Sequence, residues 1–439
     1  MSQHLVVFDL GKTNAKLLVL DEAGLVIWQK SKANAVVQTG LYPHADTDML
    51  WQWLKTCLLE IKDLQPTAIM VVAHGATSAL LSGQDLVLPV LDYEANLEGL
   101  RDYPRPDFLE TASPDLPNGL NLGRQLYWQQ QHFPNEFAKA DTILFYPQFW
   151  AFKLSGVKAL EVSSLGCHTD LWNPYTQAFS SLVLRENWLD KFPPIIPAWQ
   201  VLGRLEPSLA ALLGFDCDVY CGVHDSNASL VPYLQTPNAS VVSTGTWVIS
   251  MVLCGQPEHL LEQRDMLCNS NVLGQIVPTA RFMGGREFET ILETTAPVVS
   301  IWSDVEFVLQ EQLFIIPETT LCFVPNRPEH PPIRYAMASL YLALRIDLQL
   351  TWLGSKSAIF LEGSATQNPF IATLLAALRP EQTVFISSQS TGTTQGAFLL
   401  ANWQNSPSSL PREAVTAALV SGLAAYKKRW LELLPAEWQ

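Results

Sequence analysis

Two stretches of this chain, one in each half, share a shape that few folds accommodate. Leu5 to Phe8 is a continuous apolar run that breaks into Asp9-Leu10-Gly11-Lys12-Thr13-Asn14-Ala15-Lys16 and resumes as Leu17 to Leu20. In the second half, Ser240 to Val242 breaks into Ser243-Thr244-Gly245-Thr246 and resumes as Val248 to Val252. Short apolar runs punctuated by Gly, Thr and Asn read as strand–turn–strand units. Such a turn offers several backbone amides and hydroxyls to one face, and glycine lets the backbone come close to a ligand. The repetition predicts a duplicated fold with a polyanion held between its halves.

Around these units the chain reads as α/β. Leu5–Asp9, Ala15–Leu20 and Leu25–Gln29 predict an antiparallel meander, and Asp48 to Leu64 carries apolar residues at helical spacing. Ala68 to Ala73 is a continuous apolar strand, the pattern of burial on both faces. It runs into His74-Gly75-Ala76-Thr77, and open α/β sheets present ligands at such strand ends. Arg101 to Asn118, rich in Pro and Asp, reads as a surface loop or lid, followed by helices over Leu122–Gln131 and Phe145–Leu154. Glu161 to His168 reads as irregular backbone, and Trp199 as a cover over a site. In the second half, Arg281 to Glu287 is a glycine turn before a helix, and Tyr335 to Leu353 is an apolar helix. Ala358 to Leu361 is a buried strand, and Thr391 to Asn402 starts another helix. Leu234 to Asn238 marks the crossing between domains at 1–236 and 237–439.

Composition narrows the partners. At 439 residues two domains are the default, and a hydrophobic fraction of 48% supplies their cores. The net charge of −15 argues against binding nucleic acid or an anionic membrane. A small anionic ligand stays compatible, because amides and a metal ion hold phosphates without net positive charge. Seven scattered cysteines read as reduced thiols, and the opening Met1-Ser2-Gln3-His4 predicts no leader. With no apolar run of spanning length, a cytoplasmic protein is expected.

Two carboxylates stand out. Asp9 ends a core strand, and Asp225, in Gly222-Val223-His224-Asp225-Ser226, follows a short apolar run. A carboxylate there is costly unless paired or solvated. Each either bonds its own turn or holds Mg²⁺ through water; Asp225 has the further option of accepting a substrate hydroxyl proton. His224 beside it, pointing the other way in extended backbone, reads as a packing or supporting residue. Gly363-Ser364-Ala365 suits close approach of a flat ring, or is simply a strand-to-helix turn. His74, Asp92, Glu94, Gln148 and His168 either line a polyol site or are structural.

In order along the chain, Asp9 to Lys16, Gly222 to Ser226, Ser243 to Thr246 and Gly363-Ser364-Ala365-Thr366-Gln367-Asn368-Pro369 resemble the successive signatures of the FGGY carbohydrate kinases. The resemblance covers nearly the whole chain. It implies an α/β fold of two ribonuclease-H-like (actin-like ATPase) domains with an active-site cleft between them, the sugar mainly on the first and ATP mainly on the second. It implies Asp225 as general base, with Asp9 and Asp225 holding Mg²⁺. Gly11, Thr13, Asn14 and Lys16 with Gly245 and Thr246 would meet the phosphates, Gly363, Ser364 and Asn368 would flank the adenosine, and His74, Gly75 and Asp92 would face the sugar. The implied partners are ATP and a small-molecule ketose, a pentulose or a 6-deoxyhexulose; a homodimer is left open. Lys12 and Asn14 stand where many relatives have Thr or Ser, and Glu362 precedes Gly363 in place of a run of glycines. The alternatives are a catalytically reduced, sugar-binding regulatory protein of the same fold, and an ATPase of the actin or chaperone type.

Overall fold

The computed structural model, which describes residues 4–294, 296–317, 321–387, 392–405 and 412–438, is built on two sheets of matching topology. The first contains β1 (Leu5–Leu10), β2 (Asn14–Leu20), β3 (Val26–Ala33), β4 (Ala68–Ala73), β5 (Val201–Arg204), β6 (Asp218–Tyr220) and β7 (Val223–His224). Its order is β5-β6-β4-β1-β2-β3, with β7 also paired to β4. The turns after Leu10 and Leu20 are too short for a crossover, so β1, β2 and β3 run antiparallel. β4 returns parallel to β1 through helix α1 (Thr47–Glu60), whose first turn is capped by the Asp46 carboxylate accepting from the Met49 amide.

The second sheet contains β8 (Ser240–Thr244), β9 (Val248–Val252), β10 (Ile276–Phe282), β11 (Ile359–Gly363), β12 (Val384–Ser387) and β13 (Arg412–Ala414). Read as β13-β12-β11-β8-β9-β10, it repeats the first sheet pair by pair. β8–β9 and β9–β10 are antiparallel, β8–β11 and β11–β12 parallel, and β12–β13 antiparallel, as are their counterparts in the first sheet. This ribonuclease-H-like order, occurring twice, is the actin-like ATPase pattern, and it carries the expected duplication.

The chain divides into two compact units. One is Met1–Pro232 with Leu267–Ile276 and Thr391–Ser409; the other is Tyr233–Met266, Val277–Ser390 and Leu410–Gln439. Each has its own core. In the first, Val6, Phe8 and Leu10 of β1 pack with Val71 and Trp150; the Phe8 and Trp150 rings meet edge to face at 5.5 Å. Each such side chain taken from water contributes about 1.5–3 kcal/mol. In the second, Val242 and Leu361 pack against the long apolar helix Pro331–Trp352.

Several elements differ from expectation. Glu161 to His168 is irregular only in part: Val162–Leu165 is a helical turn, organised by the buried Glu161 carboxylate accepting from both the amides and the hydroxyls of Ser163 and Ser164. The stretch from Arg101 to Asn118 is not wholly surface, since Thr111 and Ser113 are buried and the Cys268 amide donates to the Ala112 carbonyl. Thr142–Phe145 is a strand preceding the helix Tyr146–Ser155. Trp199 stacks on Trp403 at 4.3 Å and lines a cavity of about 390 Å³ with Leu5, Ala68 and Asp218, at the opposite strand ends from Asp9 and His224. It covers neither of them. Met1–Gln3 and Thr391 lie outside the described residues. All seven cysteines are free thiols, and no described helix is long and apolar enough to cross a membrane.

The helix Gly392–Ala401 packs on β1, β4 and the short helix Asp225–Ala228. A Cβ at Gly396 would overlap the Ala228 carbonyl oxygen. Gly396→Ala is therefore expected to cost about 1–3 kcal/mol of stability, read as a lower urea midpoint; an unchanged midpoint would show that the two helices separate freely.

Candidate functional site

The first unit brings its polar residues to the carboxyl ends of β1, β4 and β7. Gly222 takes φ 86° with its Cα hydrogens close to the Val71 carbonyl, which a side chain would crowd. The backbone turns there, β7 resumes pairing with β4 at Val223–Val72 and His224–Ala73, and Asp225 starts a helical turn just beyond. Asp9 sits in β1 opposite Lys16 of β2.

The two carboxylates feel each other. Burial, then the Asp225 charge, pushes the Asp9 pKa up to about 6, with Lys16 opposing. The Asp9 carboxylate accepts no hydrogen bond from a described residue. Asp225 is better supported: its Oδ1 accepts from the Ser226 amide at 2.6 Å and the Ser226 hydroxyl at 3.3 Å, and lies 3.3 Å from His224 Nε2. His224 thus points toward Asp225, not away from it as extended backbone predicts, because the chain turns helical one residue later. Among the described residues no three His, Cys, Asp or Glu side chains are placed to hold a metal by themselves. A carboxylate pair with an uncompensated member does fit a hydrated Mg²⁺, which takes one or two carboxylates and keeps its other ligands as water and phosphate oxygens.

The hairpin from Gly11 to Asn14 is closed by the Gly11 amide donating to the Asn14 carbonyl at 2.9 Å. Asn34 braces it, donating from Nδ2 to the Gly11 carbonyl and from its amide to the Thr13 carbonyl. The Lys12 and Thr13 amides donate to no described residue, which suits a phosphate. The Lys12 ammonium is engaged elsewhere. It pairs with Asp92, lies 3.4 Å from Glu94 and sits over the Tyr93 ring. Asp92 is thereby tied to the hairpin. His74 lies between the Tyr93 and Tyr146 rings, its Nδ1 3.0 Å from the Gly75 carbonyl, and burial lowers its pKa. Gly75 is small where the His224 ring crosses it, since a Cβ there would lie 2.8 Å from Nε2. Gln148 donates to the Cys221 and Gly222 carbonyls, and His168 sits against the Leu120 carbonyl.

In the second unit a cavity of about 620 Å³ is lined by Thr244, Gly245, Thr246, Gly285, Ser364 and Asn368, by the charged Arg286 and Glu289, and by Val248, Phe288, Tyr335, Leu342 and Ile371. A Cβ at Gly285 would overlap the Gly245 carbonyl, and one at Gly363, at φ 82°, would overlap that of Thr244. Three backbone segments meet there because Gly285 and Gly363 carry no side chain. Thr246, like the first hairpin, leaves its amide without a described acceptor. Asn368 is spent on structure, its Oδ1 accepting from the Phe370 and Ile371 amides and its Nδ2 donating to Ser339. Glu362 turns aside to accept from the Tyr233 hydroxyl beside Arg412. A lining that mixes polar backbone, hydroxyl and charged groups with aromatic and aliphatic side chains suits a phosphorylated ligand with a flat ring. Phe288 and Tyr335 of that lining went unread in the sequence, where they look like ordinary helix-face residues.

Because the Asp9 pKa lies above that of an unfolded aspartate, its ionisation costs stability as pH rises through about 6 and costs nothing below about 4, where both states are protonated. Asp9→Asn should therefore stabilise the ligand-free protein at pH 8 by up to about 2–3 kcal/mol and leave it unchanged near pH 4. Urea unfolding at the two pH values measures the difference.

Residues 236–409 match the model of the carbohydrate kinase FGGY C-terminal domain. The crystal structure of a carbohydrate kinase from Novosphingobium aromaticivorans superposes with a TM-score of 0.91 and 35% identity, covering 97% of this chain and 99% of that one. An L-fuculokinase from Salmonella typhi is 25% identical over 274 residues, 58% of either chain, so the match spans 58% of that relative's length. A rhamnulokinase from Halalkalibacterium halodurans is 24% identical over 215 residues, 46% of this chain and 45% of its own.

Proposed function

Since the chain belongs to the FGGY carbohydrate kinase family, we propose that it is an ATP-dependent sugar kinase that transfers the γ-phosphoryl group to a hydroxyl of a ketose. The observation that carries this reading is Asp225. Its carboxylate stands at a strand end, supported on one oxygen and electrostatically coupled to Asp9. Asp225 takes the proton of the attacking hydroxyl as that oxygen bonds to the γ-phosphorus and the β–γ bridging oxygen departs with ADP.

Asp9 and Asp225 would hold Mg²⁺, which when bound neutralises charge on the phosphate oxygens. Thr13 and Thr246 would meet those oxygens through amides and hydroxyls, Asn14 through its side chain and Lys16 through its ammonium, while Gly11 and Gly245, whose amides close their own turns, would let the backbone come close. Gly363, Ser364 and Asn368, with Phe288 and Tyr335, would receive the adenosine. His74, Gly75 and Asp92 would border the sugar. The names of the L-fuculokinase and rhamnulokinase relatives favour a 6-deoxyhexulose, and a pentulose is the next candidate.

Coupled ADP release with Mg·ATP over a panel of ketoses, aldoses and polyols tests the proposal. One ketose is expected to rise far above the rest. Sugar binding without ADP release would support the regulatory reading, and sugar-independent hydrolysis the ATPase one. With the substrate found, Asp225→Asn should lower kcat about 10²–10⁴-fold while sugar and ATP binding stay within a few-fold. Retained turnover would remove Asp225 from the base role.

A further inference from the structure

We propose that Lys12, although it stands in the hairpin that faces the phosphates, is a positioning residue for the sugar: its ammonium holds Asp92 by one carboxylate oxygen and leaves the other to accept a sugar hydroxyl. The inference rests on the kinase reading above. It gives the lysine side chain to the opposite ligand from the one its hairpin serves.

The backbone and the side chain of Lys12 have separate tasks. The Gly11–Asn14 bond and the Asn34 brace close the hairpin without help from the lysine side chain. That side chain reaches instead to a turn eighty residues on. Its ammonium donates to Asp92 Oδ1, lies 3.4 Å from Glu94 Oε2 and sits 4.5 Å from the centre of the Tyr93 ring. Drawing it away to a phosphate would leave a negative charge unpaired on Asp92, whose side chain is only 9% exposed. Glu94, at 63%, is solvated with or without the lysine, so Asp92 is the partner that counts.

Backbone bonds already fix where the turn sits. The Asp92 amide donates to the Pro43 carbonyl, the Ala95 amide to the Asp92 carbonyl and the Gly119 amide to the Tyr93 carbonyl. They leave the Asp92 carboxylate free to rotate, and its direction is set by the donors on Oδ1: the Lys12 ammonium and, at 3.3 Å, the Glu94 amide. Oδ2 accepts no hydrogen bond from a described residue, so it has lone pairs for a hydroxyl. The turn also stands beside the residues assigned to the sugar. The Tyr93 and His74 rings meet edge to face at 5.4 Å. Burial, then the charges of Glu94, Asp225 and Asp92, raises the Tyr93 pKa, which puts the turn within electrostatic reach of the proposed base.

The test uses the full-length protein with an accepted ketose. Lys12→Met keeps the length of the side chain and loses the charge. KM for the sugar is expected to rise about 10- to 100-fold, the weight of a hydrogen bond between charged groups, with KM for ATP within about twofold. A lysine that serves the phosphates would give the reverse split, and a merely structural one would raise both constants together. Either result overturns the proposal, as does an unchanged KM for the sugar. Should Lys12→Met fail to fold, Asp92→Asn and the double variant Lys12→Met/Asp92→Asn still decide, since neither leaves a lone charge at Asp92. Titration calorimetry with the ketose alone should find both weaker than wild type by about 10- to 100-fold and equal to each other within about twofold, because the lysine acts through Asp92. Losses that multiply in the double variant, or an Asp92→Asn protein that binds the sugar like wild type, overturn it. Wild-type protein that transfers phosphate to no sugar would overturn the kinase reading itself, an outcome distinct from any of these.

Discussion

Two carboxylates held close together, at the ends of strands that are apolar almost to their last residue, are the constraint on which the first unit depends. Asp9 is drawn out of water by its place in β1 and is raised further by Asp225. Relief comes from only a few groups. Lys16 stands across the hairpin, and the Ser226 amide and hydroxyl satisfy one oxygen of Asp225. Leaving the rest unsatisfied is a cost the ligand-free protein bears, and it is what makes the pair receptive to a cation and to a substrate hydroxyl.

The second unit repeats the sheet and reverses the chemistry. Where the first places Asp9 at the end of its central strand, the second places the Thr244-Gly245-Thr246 turn at the end of β8, and Gly285 and Gly363 close around it. Its working surface is backbone. Glycine is needed there because three chain segments approach more closely than a Cβ permits, and the cavity they line mixes polar groups with the Phe288 and Tyr335 rings. One strand order thus serves two binding tasks, and the difference lies in a handful of residues at the strand ends.

Much of this was legible from local pattern. β1, β2, β4 and the helix Pro331–Trp352 follow from apolar runs whose length and period admit one reading, and the Gly-Thr-Asn turns announce themselves by composition. The short helix at Val162–Leu165 was hidden because its stability comes from the buried Glu161 cap, while Ser163 and Ser164 on their own suggest irregular backbone. Thr142–Phe145 was hidden because its apolar residues run without a break into the helix that follows. Trp199 looked like a cover for a site, since an aromatic residue in a proline-rich stretch does not reveal that its partner is Trp403.

The sequence by itself determined the repeated strand–turn–strand units, the buried strands and the family to which they belong, because those depend on hydrophobic period and on residues a few positions apart. Only the tertiary structure decided the partners: Lys12 with Asp92, eighty residues on; Glu362 with Tyr233; His224 with Cys167; and Leu267–Ile276 and Thr391–Ser409 with the first unit. Even the contact of His224 with its neighbour Asp225 needed the turn after β7 to be seen. Such pairings arise when distant segments are packed side by side, and no local propensity encodes which polar groups will then face each other.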